Sequence, residues 1–353
     1  MAEKPVKLGR KLIELAQKLS YFLTPDRQPY AQLPNNRNVP LHSEDFYTWL
    51  STEAENKALS VSPAMLPSAI RKIDAEIHGT DNRIKQVHLR TAPTQPQQYS
   101  IDLQSWDCAA IEVTRKGWKF SQPGENLFLW PDSSKPYPTP EPAKETLIKE
   151  TLIRTLEKSF KLAPESAKLL STWLTAAMLP DQPCPVLVIT GQARDAAARA
   201  IRTLLDPVTH PLLVLPRLES QFHKLALSNR VLAFTVGRKL SEGRREALAK
   251  LSNGVEAQLT QSSKRREPLQ THLRRPILIA AEEVIEIAPD QIHLEINHTE
   301  QFGHAQTFSA LLDELVKFLC TFEEPEELKA AASQMILPLE TELQRDPPDP
   351  PIP

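Results

Sequence analysis

Glycine is scarce in this chain: it provides 9 of 353 residues, whereas proline provides 32. Sites that grip phosphate usually need glycine where the backbone approaches the ligand closely. No glycine here is followed by lysine, and no two glycines are two or four positions apart. The phosphate-loop signature G-x-x-x-x-G-K-[ST], the dinucleotide fingerprint GxGxxG and the nucleophile elbow GxSxG are therefore absent. No histidine is followed by glutamate, which excludes the HExxH metal site.

Cysteine is also scarce, and long apolar runs are absent. The three cysteines, Cys108, Cys184 and Cys320, form no CxxC pair, which is typical of the reducing cytosol and predicts a cytoplasmic location. No run of about 18 apolar residues exists, so we expect no membrane span and no membrane partner. The formal charge of −2 excludes a uniformly basic nucleic-acid coat but not a local basic patch.

Residues 1–130 predict a smaller α+β domain. The start is an amphipathic helix, with apolar residues at 8, 12, 15, 19 and 22 on one face. Further helices are predicted near Asp45–Leu50 and Ala64–Ile77. Four short strands follow, with a turn at Gly117; they are predicted at Val87–Thr91, Tyr99–Leu103, Ala110–Thr114 and Trp118–Phe120.

Proline density marks the predicted domain boundary. The segment PDSSKPYPTPEP at Pro131–Pro142 favours an extended, exposed linker, because proline removes backbone donors and fixes φ. Residues 143–322 form the second predicted domain. Residues 323–353 predict an acidic helix and a disordered, proline-rich tail that ends in PPDPPIP.

The second predicted domain alternates short apolar strands with helices. Strands are predicted at Pro185–Thr190, Leu212–Leu215, Val231–Thr235, Pro276–Ala280 and Ile292–Ile296. Helices are predicted near Lys144–Phe160, Pro164–Met178, Ala193–Leu205, Glu242–Leu251 and Phe308–Phe322. Continuously apolar strands that alternate with helices are typical of an α/β sheet covered on both faces.

Several segments resemble the ATPase domain of phage- and plasmid-type primase–helicase proteins, a branch of the superfamily-three and AAA+ P-loop ATPases. The matching segments are PCPVLVITG at Pro183–Gly191, NRVLAF at Asn229–Phe234, LSNG at Leu251–Gly254 and RPILI at Arg275–Ile279. In the first part, His88–Arg90 and Ile101–Leu103 resemble the module that precedes this ATPase. The resemblance implies an α/β, P-loop ATPase-like (AAA+/helicase-type) sheet with helices on both faces, preceded by the smaller α+β domain.

The departures from this family fall at its nucleotide site. The resemblance places the Gly-Lys-Ser/Thr of the phosphate loop at Ala196, Ala197 and Ala198, after Gly191. It places the acidic magnesium ligand at Thr235 and the polar sensor at Ala280. Alanine supplies neither the charge nor the hydroxyl that holds phosphate and magnesium. We therefore expect a degenerate phosphate loop with no catalytic residue, no metal and no cofactor.

Charge is distributed unevenly in the second domain. Residues 238–275 carry ten Lys/Arg against four Glu, and residues 281–328 carry twelve Asp/Glu against one Lys. The candidate nucleic-acid contacts are Lys264, Arg265, Arg266, Arg274 and Arg275. A solvated charged surface is the simpler interpretation. Alternatively, the two oppositely charged regions could dock copies of the chain, or an active ATPase, head to tail.

Other chemistry-bearing residues give weaker signals. Gly191–Asp195 could bind phosphate at a helix N-terminus, but a plain β–α turn with Asp195 as a helix N-terminal charge is the favoured interpretation. His293 and His298 have poor metal-ligand spacing. Two further groups are interpreted as core or strand-surface positions in preference to base-stacking or metal-binding residues; they are Trp106 with Trp118, and Asp102 with Asp107 and Glu112.

Three functional hypotheses remain open. The first is a pseudo-ATPase, an accessory or regulatory protein of a mobile element or phage-related system that binds DNA or RNA, an active ATPase or helicase, or its own copies. The second is a weak nucleotide-binding ATPase or helicase that uses Arg194, Asp195 or Arg199. The third is a protein-interaction scaffold or inhibitor that binds no nucleic acid.

Overall fold

The computed structural model describes most of the chain. The described residues are 5–59, 62, 64–79, 83–105, 107, 109–122, 124–140, 152–180, 182–237, 239–259 and 269–321. The predicted acidic helix and tail at 323–353 lie outside these residues. In the described part, no helix is both long and apolar enough to cross a membrane.

The first part contains three helices around a small antiparallel sheet. The elements are α1 (Pro5–Ala16), β1 (Ser20–Leu23), β2 (Pro29–Gln32), β3 (Asn38–Pro40), α2 (Glu44–Asn56) and α3 (Met65–His78). The sequence missed β1 to β3, because each strand is short. The first helix was predicted too long: it ends at Ala16, and Phe22 lies on β1, where its ring stacks on Tyr30 at 5.7 Å.

A four-stranded antiparallel sheet follows, in the order β4-β5-β6-β7. Its strands are β4 (Thr91–Gln95), β5 (Gln98–Asp102), β6 (Ala110–Thr114) and β7 (Gly117–Ser121). The strand predicted at Val87–Thr91 was displaced: β4 begins at Thr91, and His88 forms an isolated bridge with Phe128. Gly117 has φ of +134°, a backbone conformation that glycine adopts without strain, and it forms the expected turn.

The second part is built on a four-stranded parallel sheet. Its elements are α4 (Leu152–Phe160), α5 (Pro164–Met178), β8 (Leu187–Thr190), α6 (Arg194–Leu205), α7 (Glu219–Ser228), β9 (Leu232–Val236), α8 (Glu242–Asn253), β10 (Val255–Leu259), β11 (Leu269–Leu273), β12 (Ile277–Ala281), β13 (Ile292–Glu295) and α9 (His304–Cys320). The sheet order is β13-β8-β12-β9. The strand predicted at Leu212–Leu215 is reduced to one parallel bridge between Leu213 and Phe234.

Alternating side chains of this sheet enter two separate hydrophobic clusters. On β12, Leu278 and Ala280 pack into the cluster that also contains buried residues of α5, α6 and α9. Ile277, Ile279 and Ala281 pack into the cluster on the other face, with residues of α7 and α8. Helices therefore cover both faces, which confirms the predicted α/β sheet with helices on both faces and a smaller α+β part before it.

The sequence missed α7 and the β10–β11 hairpin. Helix α7 buries Phe222 and Ala226 but otherwise has intermediate or exposed residues, so its apolar periodicity is weak. The helix predicted at Lys144–Phe160 is described from Leu152 onward.

The topology of the parallel sheet places β8 between β13 and β12, so the loop after β8 emerges where connections diverge to both sides of the sheet. Ligands of open α/β sheets bind at such switch points.

The proline-rich segment lacks regular structure, as expected, but the part described is not fully exposed. Tyr137 is buried, its ring stacks on Phe308 at 4.5 Å, and its hydroxyl donates to the carbonyl of Leu205. The ring provides the anchor, because burying an aromatic side chain is strongly favourable. Side chains of β5 and β6 share one hydrophobic cluster with α5 and α9. The division into separately folding domains stays a prediction.

Candidate functional site

Gly191 is the first residue of the loop 191–193, which connects the central strand β8 to α6. Its φ is +96°, and a Cβ atom there would lie 2.5 Å from the carbonyl oxygen of Ile296 and 2.7 Å from Oδ1 of Asn297. Both separations are far below van der Waals contact, so glycine is required by the packing. The close neighbour is the chain that leaves β13.

Two backbone N–H groups at the start of α6 donate to that same neighbour. Gln192 N donates to Asn297 Oδ1 at 2.9 Å, and Ala193 N donates to the Ile296 carbonyl at 3.0 Å. The Asn297 side chain is held in turn, because its Nδ2 donates to Glu295 Oε1 at 2.8 Å. A helix N-terminus binds phosphate through unsatisfied N–H groups. Here the N–H of the N-cap residue Ala193, and that of Gln192 just before it, are satisfied within the protein.

The three alanines at the predicted Gly-Lys-Ser/Thr positions differ in exposure. Ala197 and Ala198 are completely buried in the hydrophobic cluster beneath α6, whereas Ala196 is exposed. The small side chains allow α6 to pack closely on the sheet. A lysine at Ala197 would have to leave that cluster to reach a ligand.

The predicted acidic and sensor positions lie on adjacent strands. Thr235 at the end of β9 is paired in register with Ala280 on β12. The Thr235 hydroxyl donates to Asp195 Oδ1 at 3.0 Å, and Ala280 is fully buried. Arg194 donates from Nη1 to the Gly191 carbonyl at 3.3 Å, while Arg199 is exposed. The structure thus brings Gly191, Asp195, Thr235 and Ala280 to the C-terminal ends of neighbouring strands of the sheet.

The two histidines near this edge have separate partners. His293 Nε2 lies 2.9 Å from Thr190 Oγ1, and burial lowers the pKa of the His293 imidazole while Glu295 opposes that shift. His298 Nε2 lies 3.1 Å from Glu300 Oε1. Across the described residues, no group of three His, Cys, Asp or Glu side chains could hold a metal ion.

The basic stretch forms the antiparallel hairpin β10–β11 between α8 and β12, with Val255 paired to Leu273. Lys264, Arg265 and Arg266 lie outside the described residues, in the segment that connects the two strands. The other two candidates have structural contacts. Arg274 Nε donates to the Asn253 carbonyl at 3.0 Å, and Arg275 Nε donates to the carbonyls of Ala226 at 2.7 Å and Asn229 at 3.1 Å.

These arginine contacts have a simple physical cause. The carbonyl groups at the C-termini of helices lack intrahelical partners, and guanidinium groups complement the negative end of the helix dipole. Arg274 caps α8 and Arg275 caps α7. Sequence reasoning missed the role of Arg275 because α7 was not predicted, and that of Arg274 because the contact with the end of α8 depends on the hairpin.

The aromatic and acidic candidates of the first part do not converge on one site. Trp118 donates from Nε1 to Asp313 Oδ1 at 3.0 Å, and Trp106 lies outside the described residues. Asp107 accepts from Ser105, and Glu112 pairs with Lys119 at 3.0 Å.

The expectation that Asp102 faces solvent was wrong. Asp102 is buried and accepts from Trp130 Nε1 at 2.7 Å and from Gln104 N at 3.0 Å. Burial raises the pKa of its carboxyl to about 6, against the opposing effects of these hydrogen bonds and of Arg90.

Comparisons with known proteins give structural likeness alone. No protein-family model and no curated protein matches the sequence. Among solved structures, the NrS-1 C-terminal region matches with a TM-score of 0.41 and 11% identity, over 95% of this chain and 75% of that one. A full-length MCM homolog from Methanopyrus kandleri matches with a TM-score of 0.34 and 13% identity, over 86% of this chain and 76% of that one. Because these scores lie below 0.5, the fold assignment rests on the topology described above.

Proposed function

We propose that this protein is a non-catalytic relative of P-loop ATPases of the helicase type. The observation that carries the proposal is the pair of hydrogen bonds from Gln192 N and Ala193 N to Asn297 and Ile296. A phosphate that binds through these two N–H groups would have to displace both acceptors. The loop is therefore a closed β–α turn, held by the protein's own oxygen atoms.

Loss of hydrolysis follows from the other positions of the same site. Phosphoryl transfer depends on positioned cations and on a magnesium ion that neutralise the developing charge. Ala197 offers no ammonium group, Ala198 offers no hydroxyl, and Thr235 offers no carboxylate. Asp195 in the first turn of α6 has a carboxylate, and it already accepts from Thr235. The alternative in which Arg194 and Asp195 bind nucleotide weakly is disfavoured by these contacts.

The role that remains is accessory or regulatory. The sequence places Lys264, Arg265 and Arg266 between the paired strands β10 and β11, and their positive charge suits contact with the phosphates of DNA or RNA. An active ATPase or helicase, or a further copy of this chain, is the second kind of partner. We place the protein in a mobile-element or phage-related system on the sequence resemblance alone.

Nucleotide binding is tested by thermal unfolding with millimolar ATP and magnesium. A ligand at 100 times its Kd would stabilise the protein by about 2.7 kcal/mol, so even weak binding would raise the Tm. We expect no change in Tm with ATP and magnesium, or with magnesium alone as the control. A reproducible rise that requires ATP would overturn the proposal and favour the weak-ATPase hypothesis.

A further inference from the structure

A cavity of about 420 Å³ lies in the first part of the protein, far in sequence from the P-loop-like site. It is lined by the turn at Asn35–Arg37 and the first turn of α2. Trp130, the start of the proline-rich segment and Gln104 complete the lining. This volume is within the range of small-ligand sites and is enough for one long side chain with adjoining backbone.

The aromatic wall is fixed in place. Trp130 donates from Nε1 to the buried carboxyl of Asp102 at 2.7 Å, so the indole cannot rotate without breaking that bond. The guanidinium carbon of Arg37 lies 4.6 Å from the centre of the Trp130 ring, and the same guanidinium pairs with Asp45. The cavity thus already holds one cation by an aromatic face and a carboxylate.

The remaining polar groups of the cavity include three with unused acceptor atoms. Glu44 and Asp132 are exposed, and neither makes a hydrogen bond or ion pair with any residue that the structure describes. Gln104 is only 6% exposed, and its amide nitrogen donates to the Leu129 carbonyl at 3.2 Å. Its carbonyl oxygen has no hydrogen-bond partner in the described part of the chain. This oxygen is not among the fully buried unsatisfied atoms of the described residues, so it is open to the cavity and can accept a hydrogen bond from a ligand or from water.

We propose that this cavity binds an arginine or lysine side chain of a protein partner. Three carboxylates and one guanidinium line the cavity, so its net charge favours a cation and disfavours nucleic-acid phosphate. A guanidinium or ammonium group donates hydrogen bonds and accepts none, which suits Gln104, Glu44 and Asp132 together. Pro131 and Pro136 at the rim provide apolar contact for the methylene groups of such a side chain.

The alternative explanation for Glu44 and Asp45 is the favourable charge at the N-terminus of α2. That effect accounts for neither Asp132, which does not belong to α2, nor the unused oxygen of Gln104. The experiment therefore has to separate a local cavity from general negative charge.

The test measures fluorescence anisotropy of a labelled Gly/Ser hexapeptide that contains two arginines, titrated with the full chain at 0.15 M salt. We expect saturable binding, and the same peptide with citrulline in place of arginine should bind at least tenfold more weakly. The variant Glu44→Gln/Asp132→Asn should also lose at least tenfold in affinity. The control Glu55→Gln/Glu125→Gln removes the same charge from exposed positions outside the cavity and should change affinity by less than twofold.

Several results would overturn the proposal. Equal weakening by the cavity variant and the control would show that net charge alone attracts the peptide. Equal affinity for the citrulline peptide would exclude cation recognition. Competition between a single-stranded oligonucleotide and the peptide for the wild-type chain is measured as well. If Glu44→Gln/Asp132→Asn abolished that competition, the cavity would be assigned to nucleic acid instead. Absence of any binding by the wild-type chain would likewise reject it, and Gln104→Ala provides a second variant if the first fails to fold.

Discussion

Arg90 and Asp206 form a buried ion pair between the two parts of the protein: Arg90 Nε donates to Asp206 Oδ1 at 3.0 Å. Asp206 lies just after α6, the helix whose other end begins after the turn at Gly191. Its second oxygen forms an ion pair with Arg202, whose Nη2 lies 3.0 Å away, and accepts a hydrogen bond from Arg230 N at 2.8 Å. Burial alone would raise the pKa of Asp206, but Arg202 and Arg90 hold it below the usual value.

Asp206→Asn should destabilise the protein by about 3–5 kcal/mol, the usual cost of leaving buried charges without their partner. Arg90 and Arg202 are both buried, so neither can turn to solvent after the substitution. Chemical denaturation measures the effect. Glu314→Gln, which breaks the exposed pair with Lys317, is the matched control and should cost less than about 1 kcal/mol. A similar small cost for both would mean that the buried network contributes little.

The pH dependence of stability should contain a component from Asp102. Its folded pKa of about 6 lies above the unfolded value of 3.8, so the folded state binds the proton more tightly. The contribution is therefore largest below pH 4 and is lost as the pH rises through 6, by up to about 3 kcal/mol. Asp102→Asn should remove this component, seen as a flatter curve of unfolding free energy between pH 4 and 7. An unchanged slope in the variant would assign the titration to another group.

Rebuilding the phosphate-loop residues should fail to create an ATPase. Ala197→Lys places an ammonium group in a fully buried position, so we expect a loss of at least about 2 kcal/mol from overpacking and desolvation. Ala196→Ser changes the exposed neighbour and should be within about 0.5 kcal/mol of wild type. The triple variant Ala196→Gly/Ala197→Lys/Ala198→Thr should show no phosphate release above background. Measurable hydrolysis would mean that Asn297 does not close the turn.

The basic residues should separate into two classes. Substituting Lys264, Arg265 and Arg266 by alanine should flatten the salt dependence of DNA or RNA binding, by about one unit of log–log slope per lost phosphate contact. Arg275→Ala should instead lower stability by about 1–3 kcal/mol, because it removes donors from the carbonyls of Ala226 and Asn229. If the wild-type chain shows no salt-sensitive binding, the scaffold hypothesis gains support.

The predicted two-domain division can be tested with a protease site inserted directly after Pro142. The shared hydrophobic cluster and the Arg90–Asp206 pair lead us to expect that the cleaved pieces stay together in size-exclusion chromatography. They should separate in denaturant, while an uncleaved sample serves as the control. Two pieces that separate under native conditions and each unfold cooperatively would support the division predicted from the sequence.

The sequence by itself determined the elements whose local pattern is strong. Helix α5 was predicted with its actual bounds, Pro164–Met178, because proline starts it and apolar residues recur along it. The strands β8, β9, β12 and β13 were found within a few residues, since continuous apolar runs must be buried. The missing lysine and hydroxyl at Ala197 and Ala198 are likewise a property of sequence alone.

The tertiary structure decided which groups meet. Asn297 reaches Gln192 because β13 lies beside β8 in the sheet, and no spacing in the sequence encodes that neighbour. Asp102 follows an alternating strand pattern, yet it is buried because Trp130 covers it from a distant segment. The sequence suggested Arg275 as a phosphate ligand, but in the structure its guanidinium donates to the carbonyls of Ala226 and Asn229 at the end of α7. Local periodicity determines which face of a helix or strand is apolar. The hydrogen-bond partners of a polar side chain depend instead on long-range packing, because distant segments meet only in the folded chain.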